Sequence, residues 1–215
     1  MATPPKAIIF DIGRVIVRVN PRRAIEPLFA AVSSGRMAAG MPQLSPEKLW
    51  SAIEDDPSWA PWQEGRLSPH EWHNHVTRLL GIPIGFREFC AAWNRALDPE
   101  TILGDELFAK LSSRSRLALL SNTDPIHSEH LEKHFAFVRR FPVRVYSCDI
   151  GSRKPLPSIY QATLSSLGVT ARDAIYIDDV LKFADAARCL GLDAIQFASP
   201  AQLIDQLSTR GFICQ

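Results

Sequence analysis

Short apolar runs, each ended by a small polar or acidic residue, alternate with helical periodicities along most of the chain. The run at 6–10 is followed by Asp11 and Gly13, the run at 116–120 by Ser121, Asn122 and Thr123, and the run at 174–177 by Asp178 and Asp179. Continuous Ile, Leu, Phe and Ala bounded by turn formers predict buried strands that stop where the polar residue begins. Residues 143–146 and 194–197 are weaker strands of the same kind. Helical spacing fills the intervals 126–135, 157–167 and 182–190, the last stopped by Gly191. Strands alternating with helices predict an α/β chain, a Rossmann-like parallel sheet with right-handed crossovers.

The stretch from residue 22 to about 95 follows another rule. Its apolar residues recur at helical spacing, as in Ala24, Leu28, Ala31 and Val32, or Trp72, Val76, Leu79 and Leu80. All five tryptophans (Trp50, Trp59, Trp62, Trp72 and Trp93) fall in it and none in the α/β remainder. Ser45 and Ser68 each precede a proline, the pattern of a helix N-cap with Pro at the first helical position, and Glu71 adds the capping-box spacing to the second. A small all-α insertion after the first strand is expected over residues 18–96, with 1–17 and 97–215 forming the α/β core. Its tryptophans are expected mainly in its core.

A chain of 215 residues with 46% hydrophobic and 22% charged residues has room for one core plus that insertion, and is not a disordered chain. Lys+Arg 24 against Asp+Glu 23 gives a net charge of +1, so no bulk charge holds it to nucleic acid or anionic lipid. No uncharged apolar run approaches the ~18 residues a membrane span needs, and no apolar leader precedes the first strand. Cys90, Cys148, Cys189 and Cys214 are scattered, which reads as reduced thiols in a cytoplasmic protein. Without a long heptad repeat, a monomer is expected.

In an open parallel sheet the carboxyl ends of the strands converge on one crevice. Asp11, Ser121, Lys154, Asp178 and Asp179 are therefore expected to meet there. Three carboxylates gathered at strand ends repel one another, and their company is stable at neutral pH only with a cation between them or with raised pKa values.

The segment Phe10-Asp11-Ile12-Gly13-Arg14-Val15-Ile16 resembles the first motif of the haloacid dehalogenase (HAD) superfamily. Leu120-Ser121-Asn122-Thr123 is similar to its second, Lys154-Pro155 to its third and Ile177-Asp178-Asp179 to its fourth, in the same order. The helical insertion stands where a helical, C1-type cap stands in that family. The motifs, with His127 after the second and Gly151 before the third, are most similar to small bacterial phosphatases acting on sugar phosphates, as is Trp62 to Ser68. The resemblance implies that Asp11 is the nucleophile, attacking phosphorus to give an aspartyl-phosphate that water hydrolyses. It implies Mg²⁺ held by the Asp11 side chain, the Gly13 carbonyl and the motif-four acids, with Asp179 a direct ligand and Asp178 direct or through water. Lys154 would serve Asp11 and a phosphoryl oxygen together, and the Ser121 hydroxyl and Asn122 N–H would donate to the phosphoryl group. The implied substrate is a small phosphorylated metabolite, under a cap that opens and closes over the site.

Several positions depart from the pattern. Gly13 stands where most phosphatases of the superfamily carry a general-acid Asp, so another group or water protonates the leaving oxygen. Arg14 replaces a small or amide residue, and a guanidinium beside the nucleophile suits phosphate or substrate, or a surface salt bridge. Phe183 stands where Asn is frequent and Leu156 where an acid is frequent, which suggests altered packing around an intact set of reacting groups. Two other readings remain: a dehalogenase, disfavoured because Ser usually replaces one of the motif-four acids there, and a catalytically impaired HAD-like binding or regulatory protein. The sets His70, His73, His75 and His127, His130, His134 lack further ligands at matching spacing and read as helix faces, with His127 near the site. Asp149 is a candidate support for Lys154.

Overall fold

The computed structural model describes residues 6–28 and 45–212; Ala31, Val32 and Cys214 lie outside them. Five strands, β1 (Ala7–Phe10), β4 (Arg116–Ser121), β5 (Val143–Tyr146), β6 (Ala174–Asp178) and β7 (Asp193–Gln196), form one sheet in the order β5-β4-β1-β6-β7, every neighbouring pair parallel. Two shorter strands, β2 (Val17–Val19) and β3 (Leu97–Thr101), pair antiparallel beside it. The chain order changes direction at β1, between β4 and β6, which puts the ligand crevice at their carboxyl ends.

Register fixes what meets there. Phe10 lies level with Leu119 on one side and Ile177 on the other. One residue further on, Asp11 and Asp178 leave the sheet side by side, and Ser121 stands one step beyond on β4. Side chains alternate between faces along these strands. Ile8, Phe10, Leu117, Leu119, Ile175 and Ile177 face a core with Phe108, Phe137 and Phe141. Ile9, Ala118, Leu120 and Tyr176 face Ile159, Tyr160 and Ala184 on the opposite side. Both layers are covered by helices, α6 (Asp105–Ser112) and α11 (Pro200–Thr209) on the first side, α9 (Pro157–Leu167) and α10 (Leu181–Cys189) on the second. That double cover explains why the strands read as unbroken apolar runs.

Between β2 and β3 the described residues form helices: α1 (21–28), α2 (Pro46–Glu54), α3 (Trp59–Gln63), α4 (Pro69–Leu80) and α5 (Phe86–Asn94). Ser45 accepts from the Lys48 N–H, and Ser68 and Glu71 exchange both bonds of a capping box, so the sequence-level start signals act as expected. Trp62, Trp72 and Trp93 are fully buried in this layer with Leu49, Ile53 and Phe89, Trp62 and Trp72 stacking at 5.2 Å and 7°. Trp50 and Trp59 depart from the core expectation: both are half-buried and line the cavity described below. Ile126 of α7 (Pro125–His134), a helix of the α/β part, completes the same apolar cluster. The last helical piece of the site is α8 (Ser147–Ile150).

Candidate active site

Each candidate residue sits at a strand end or in the loop that follows. Asp11 follows β1, Gly13 and Arg14 lie in the tight turn to β2, Ser121 ends β4, Lys154 precedes α9, Asp178 ends β6 and Asp179 follows it. Asp11, Gly13, Arg14, Ser121, Asn122, Lys154 and Asp179 line one cavity of about 220 Å³. Trp50, Glu54, Trp59 and Gln63 form its opposite wall, and Val19, Leu97, Val180 and Phe183 its sides.

Lys154 is the centre of the charge network. Its side chain is 2% exposed, and Nζ donates to Asp11 Oδ1 at 2.7 Å and to Asp178 Oδ2 at 2.7 Å. The ring of Phe183 lies 5.1 Å from the ammonium, a cation–π contact, so the Phe183 departure puts an aromatic face where an amide is frequent. Burial alone would lower the Lys154 pKa, but the Asp11 and Asp178 carboxylates overcome it and hold the ammonium charged. Asn122 fixes the Lys154 main chain, accepting from its N–H (2.7 Å) and donating to its carbonyl (3.1 Å). That use of the Asn122 side chain is additional to the expected backbone role, and no spacing in the sequence announces it.

Asp178 is wholly buried beneath Lys154. Its Oδ1 accepts from the Val180 N–H at 2.8 Å, and Oδ2 accepts from both Lys154 and the Tyr176 hydroxyl. Asp179 is half-buried and faces the cavity. Arg14 reaches the same space from a left-handed backbone (φ 60), a conformation that costs a non-glycine residue on the order of 1 kcal/mol and persists where surroundings impose it. Its N–H donates to the Val17 carbonyl at 2.7 Å, which closes the turn.

Asp11, Asp178 and Asp179 each offer a carboxylate oxygen within 4.8 Å of the others. One ammonium does not balance three such charges. Burial pushes Asp11 up to about 7, against the pull of Lys154 and with help from Asp178 and Asp179. Asp179 is also raised, by burial and then by Asp178, with Arg14 and Lys154 opposing. An all-oxygen donor set with excess negative charge fits a hard divalent cation such as Mg²⁺. Asp149 forms no bond to Lys154; its Oδ1 lies 3.7 Å from the Cys148 thiol.

Asp124, which with His127 also lines this cavity, is buried at the N-terminus of α7. Its Oδ1 accepts from the Ile126 and His127 N–H groups, both at 3.0 Å, and its Oδ2 pairs with His127 Nδ1 at 2.8 Å. The Trp93 indole N–H donates to the same Oδ2 at 3.1 Å, and His127 Nε2 meets the Trp93 carbonyl at 3.0 Å. Asp124 followed by Pro125 is a legible helix start, but the bond to Trp93, 31 positions away, is not. On the other flank Ser147 Oγ lies 2.6 Å from the Gln63 carbonyl and accepts from the Thr123 N–H at 2.9 Å. Gly65, at φ 66, packs so closely that a Cβ there would come within 2.0 Å of the Cys148 carbonyl oxygen.

The chain is 24% identical over 214 residues to a sesquiterpene phosphatase of Aspergillus oryzae, covering 97% of this chain and 95% of that protein. It is 23% identical over 199 residues to a D-ribitol-5-phosphate phosphatase of Bacteroides thetaiotaomicron, covering 89% and 91%. Among solved structures, a HAD-family enzyme of Bacteroides thetaiotaomicron in complex with magnesium and inorganic phosphate superposes with a TM-score of 0.76 at 20% identity, covering 91% of this chain and 96% of that one. No helix among the described residues is long and apolar enough to cross a membrane. The pattern of the haloacid dehalogenase-like hydrolase family matches residues 5–191, and the chain belongs to that family of hydrolases.

Proposed function

We propose that the chain is a Mg²⁺-dependent phosphatase that hydrolyses a small, sugar phosphate-like metabolite through an aspartyl-phosphate, in the cytoplasm. In this reading residues 18–96 are the cap, and 1–17 with 97–215 the catalytic core. The observation that carries it is the Asp11–Lys154–Asp178 array at the floor of the cavity, with the Asp179 carboxylate beside it.

Lys154 holds Asp11 Oδ1, which orients the carboxylate and leaves its second oxygen to attack phosphorus. The phosphorus–oxygen bond to the leaving group breaks as the aspartyl-phosphate forms. Water then attacks the same phosphorus and returns Asp11 as a carboxylate with release of inorganic phosphate. Asp11, the Gly13 carbonyl and Asp179 would hold Mg²⁺, with Asp178 behind them, and the ion when bound offsets the charge of carboxylate and phosphate alike. The Ser121 hydroxyl, the Asn122 N–H and the Lys154 ammonium donate toward the phosphoryl oxygens, and Arg14 adds a cation at the rim. Gly13 offers no proton, so the leaving oxygen takes one from water, a loss of ~10²–10⁴-fold against a positioned acid unless the leaving group is good. Glu54 and Gln63 on the facing wall, with the indoles of Trp50 and Trp59, suit a hydroxyl-bearing leaving group better than a purely hydrocarbon one.

The test is turnover of p-nitrophenyl phosphate with Mg²⁺ and with EDTA. Release of phosphate that stops on chelation is expected. Chelator-resistant dechlorination of chloroacetate would replace this reading with the dehalogenase, and the absence of any turnover would leave a binding protein.

A further inference from the structure

We infer that His127 is a positioning residue, an imidazolium clasp that fixes the helical layer over the phosphate site and so sets where the cavity's aromatic wall stands. Nδ1 lies 2.8 Å from the Asp124 carboxylate, an ion pair for the protonated ring, and Nε2 meets the Trp93 carbonyl, an acceptor, at 3.0 Å. Burial would lower the pKa of His127, but the adjacent carboxylate overcomes it and raises the net value.

The clasp joins two parts of the molecule. Asp124 and His127 belong to the start of α7, three and six residues after Ser121, while Trp93 lies in the last turn of α5 in the helical layer. Trp93 returns a bond through its indole N–H to Asp124, and its ring stacks on His127 at 5.8 Å and 20°. The Trp93 ring in turn packs on Trp50 at 5.7 Å and on Trp59 at 6.2 Å. A continuous path therefore runs from the strand end that carries Ser121 to the two indoles that face it across the cavity. A solvated helix-face histidine needs none of these contacts.

The clasp predicts a specific split. His127→Ala should speed amide hydrogen exchange in α5 by at least about tenfold while leaving β1 and β4 unchanged. It should also raise the KM for p-nitrophenyl phosphate roughly tenfold with kcat within about twofold, and leave inhibition by inorganic phosphate, which needs no cap wall, within about twofold. Trp93→Phe keeps an aromatic face and the main-chain carbonyl and loses the indole donor, so a smaller shift in the same direction is expected; His127→Gln, with a single donor group, should recover part of the loss. These two variants carry the test if His127→Ala does not fold. Unchanged exchange in α5, exchange accelerated equally in β1 and β4, or a loss of phosphate affinity in step with the KM would each overturn the clasp. The KM arm rests on the phosphatase reading. The exchange arm is read without substrate, so it decides the clasp even if no phosphomonoester is hydrolysed.

Discussion

Lys154 carries its charge in near-complete burial between two carboxylates, over the face of Phe183. Taking an ammonium out of water costs several kcal/mol, and only the paired acids repay it. Lys154→Met should therefore cost about 3–5 kcal/mol in urea unfolding with EDTA present, because it strands Asp11 and Asp178 without a partner. A cost below about 1 kcal/mol would show that the acids are relieved some other way. Asp11→Asn removes the attacking atom and keeps the shape of the side chain. Turnover should fall at least about 10³-fold with an unchanged far-UV spectrum, and near-native activity would remove Asp11 from its role. Asp179→Ala is expected to raise the Mg²⁺ concentration for half-maximal activity by about tenfold or more, and an unchanged requirement would strike it from the ligand set.

At the level of elements, the α7 and α8 junctions tie the helical layer to the sheet. In the Asp124–His127 pair, the carboxyl is held below its ordinary range and the imidazole above its own, in each case against the burial penalty and through the partner's charge. Asp124's share of stability is present above the ordinary carboxylate value of 3.8 and is lost as pH falls through its lowered value. His127's share is complete below 6.5 and is lost as pH rises through its raised value. The stability difference between the native chain and His127→Gln should thus be largest between those two values and shrink at alkaline pH. A difference that grows with pH would contradict the charged pair; Cys90 and Cys148, raised by burial and by nearby acids including Asp124, and His130, lowered by burial and by its histidine neighbours His134 and His127, are the nearby groups to control for. Gly65→Ala should destabilise by more than about 1 kcal/mol, from positive φ and the carbonyl of Cys148 together. An unchanged midpoint would show that α3 does not rest on α8.

The whole molecule was legible wherever a local pattern carried it. The expected spans of all five parallel strands agree with the structure to within one residue at each end; β1, β4 and β6 are legible because both faces are covered and their apolar runs are continuous, while β5 and β7 at the sheet edges carry a mixed pattern. The acids, Ser121 and Lys154 were legible as a group because sheet topology collects strand ends. β3 was not legible: Leu97-Asp98-Pro99-Glu100-Thr101 carries a proline and two acids, and only pairing with β2 makes it a strand. The helices α6 and α11 lie outside the expected helical intervals, although Ser199-Pro200 carries the same N-cap and first-turn signal as Ser68-Pro69. Trp50 and Trp59 look like Trp62 and Trp72 in sequence, and nothing local separates wall from core. Asn122 clamping Lys154, Tyr176 bonding Asp178 and Trp93 bonding Asp124 are long-range pairings or depend on buried geometry that periodicity does not encode. The central claim, that these distant acids act as one phosphoryl-transfer site with Asp11 as the attacking group, is tested most directly by acid-quenched intact-protein mass spectrometry during turnover of p-nitrophenyl phosphate. A gain of one phosphoryl group mapped to Asp11, present with Mg²⁺ and absent with EDTA, is predicted; phosphate release with no phosphoryl-enzyme, or with the group on another residue, would contradict it.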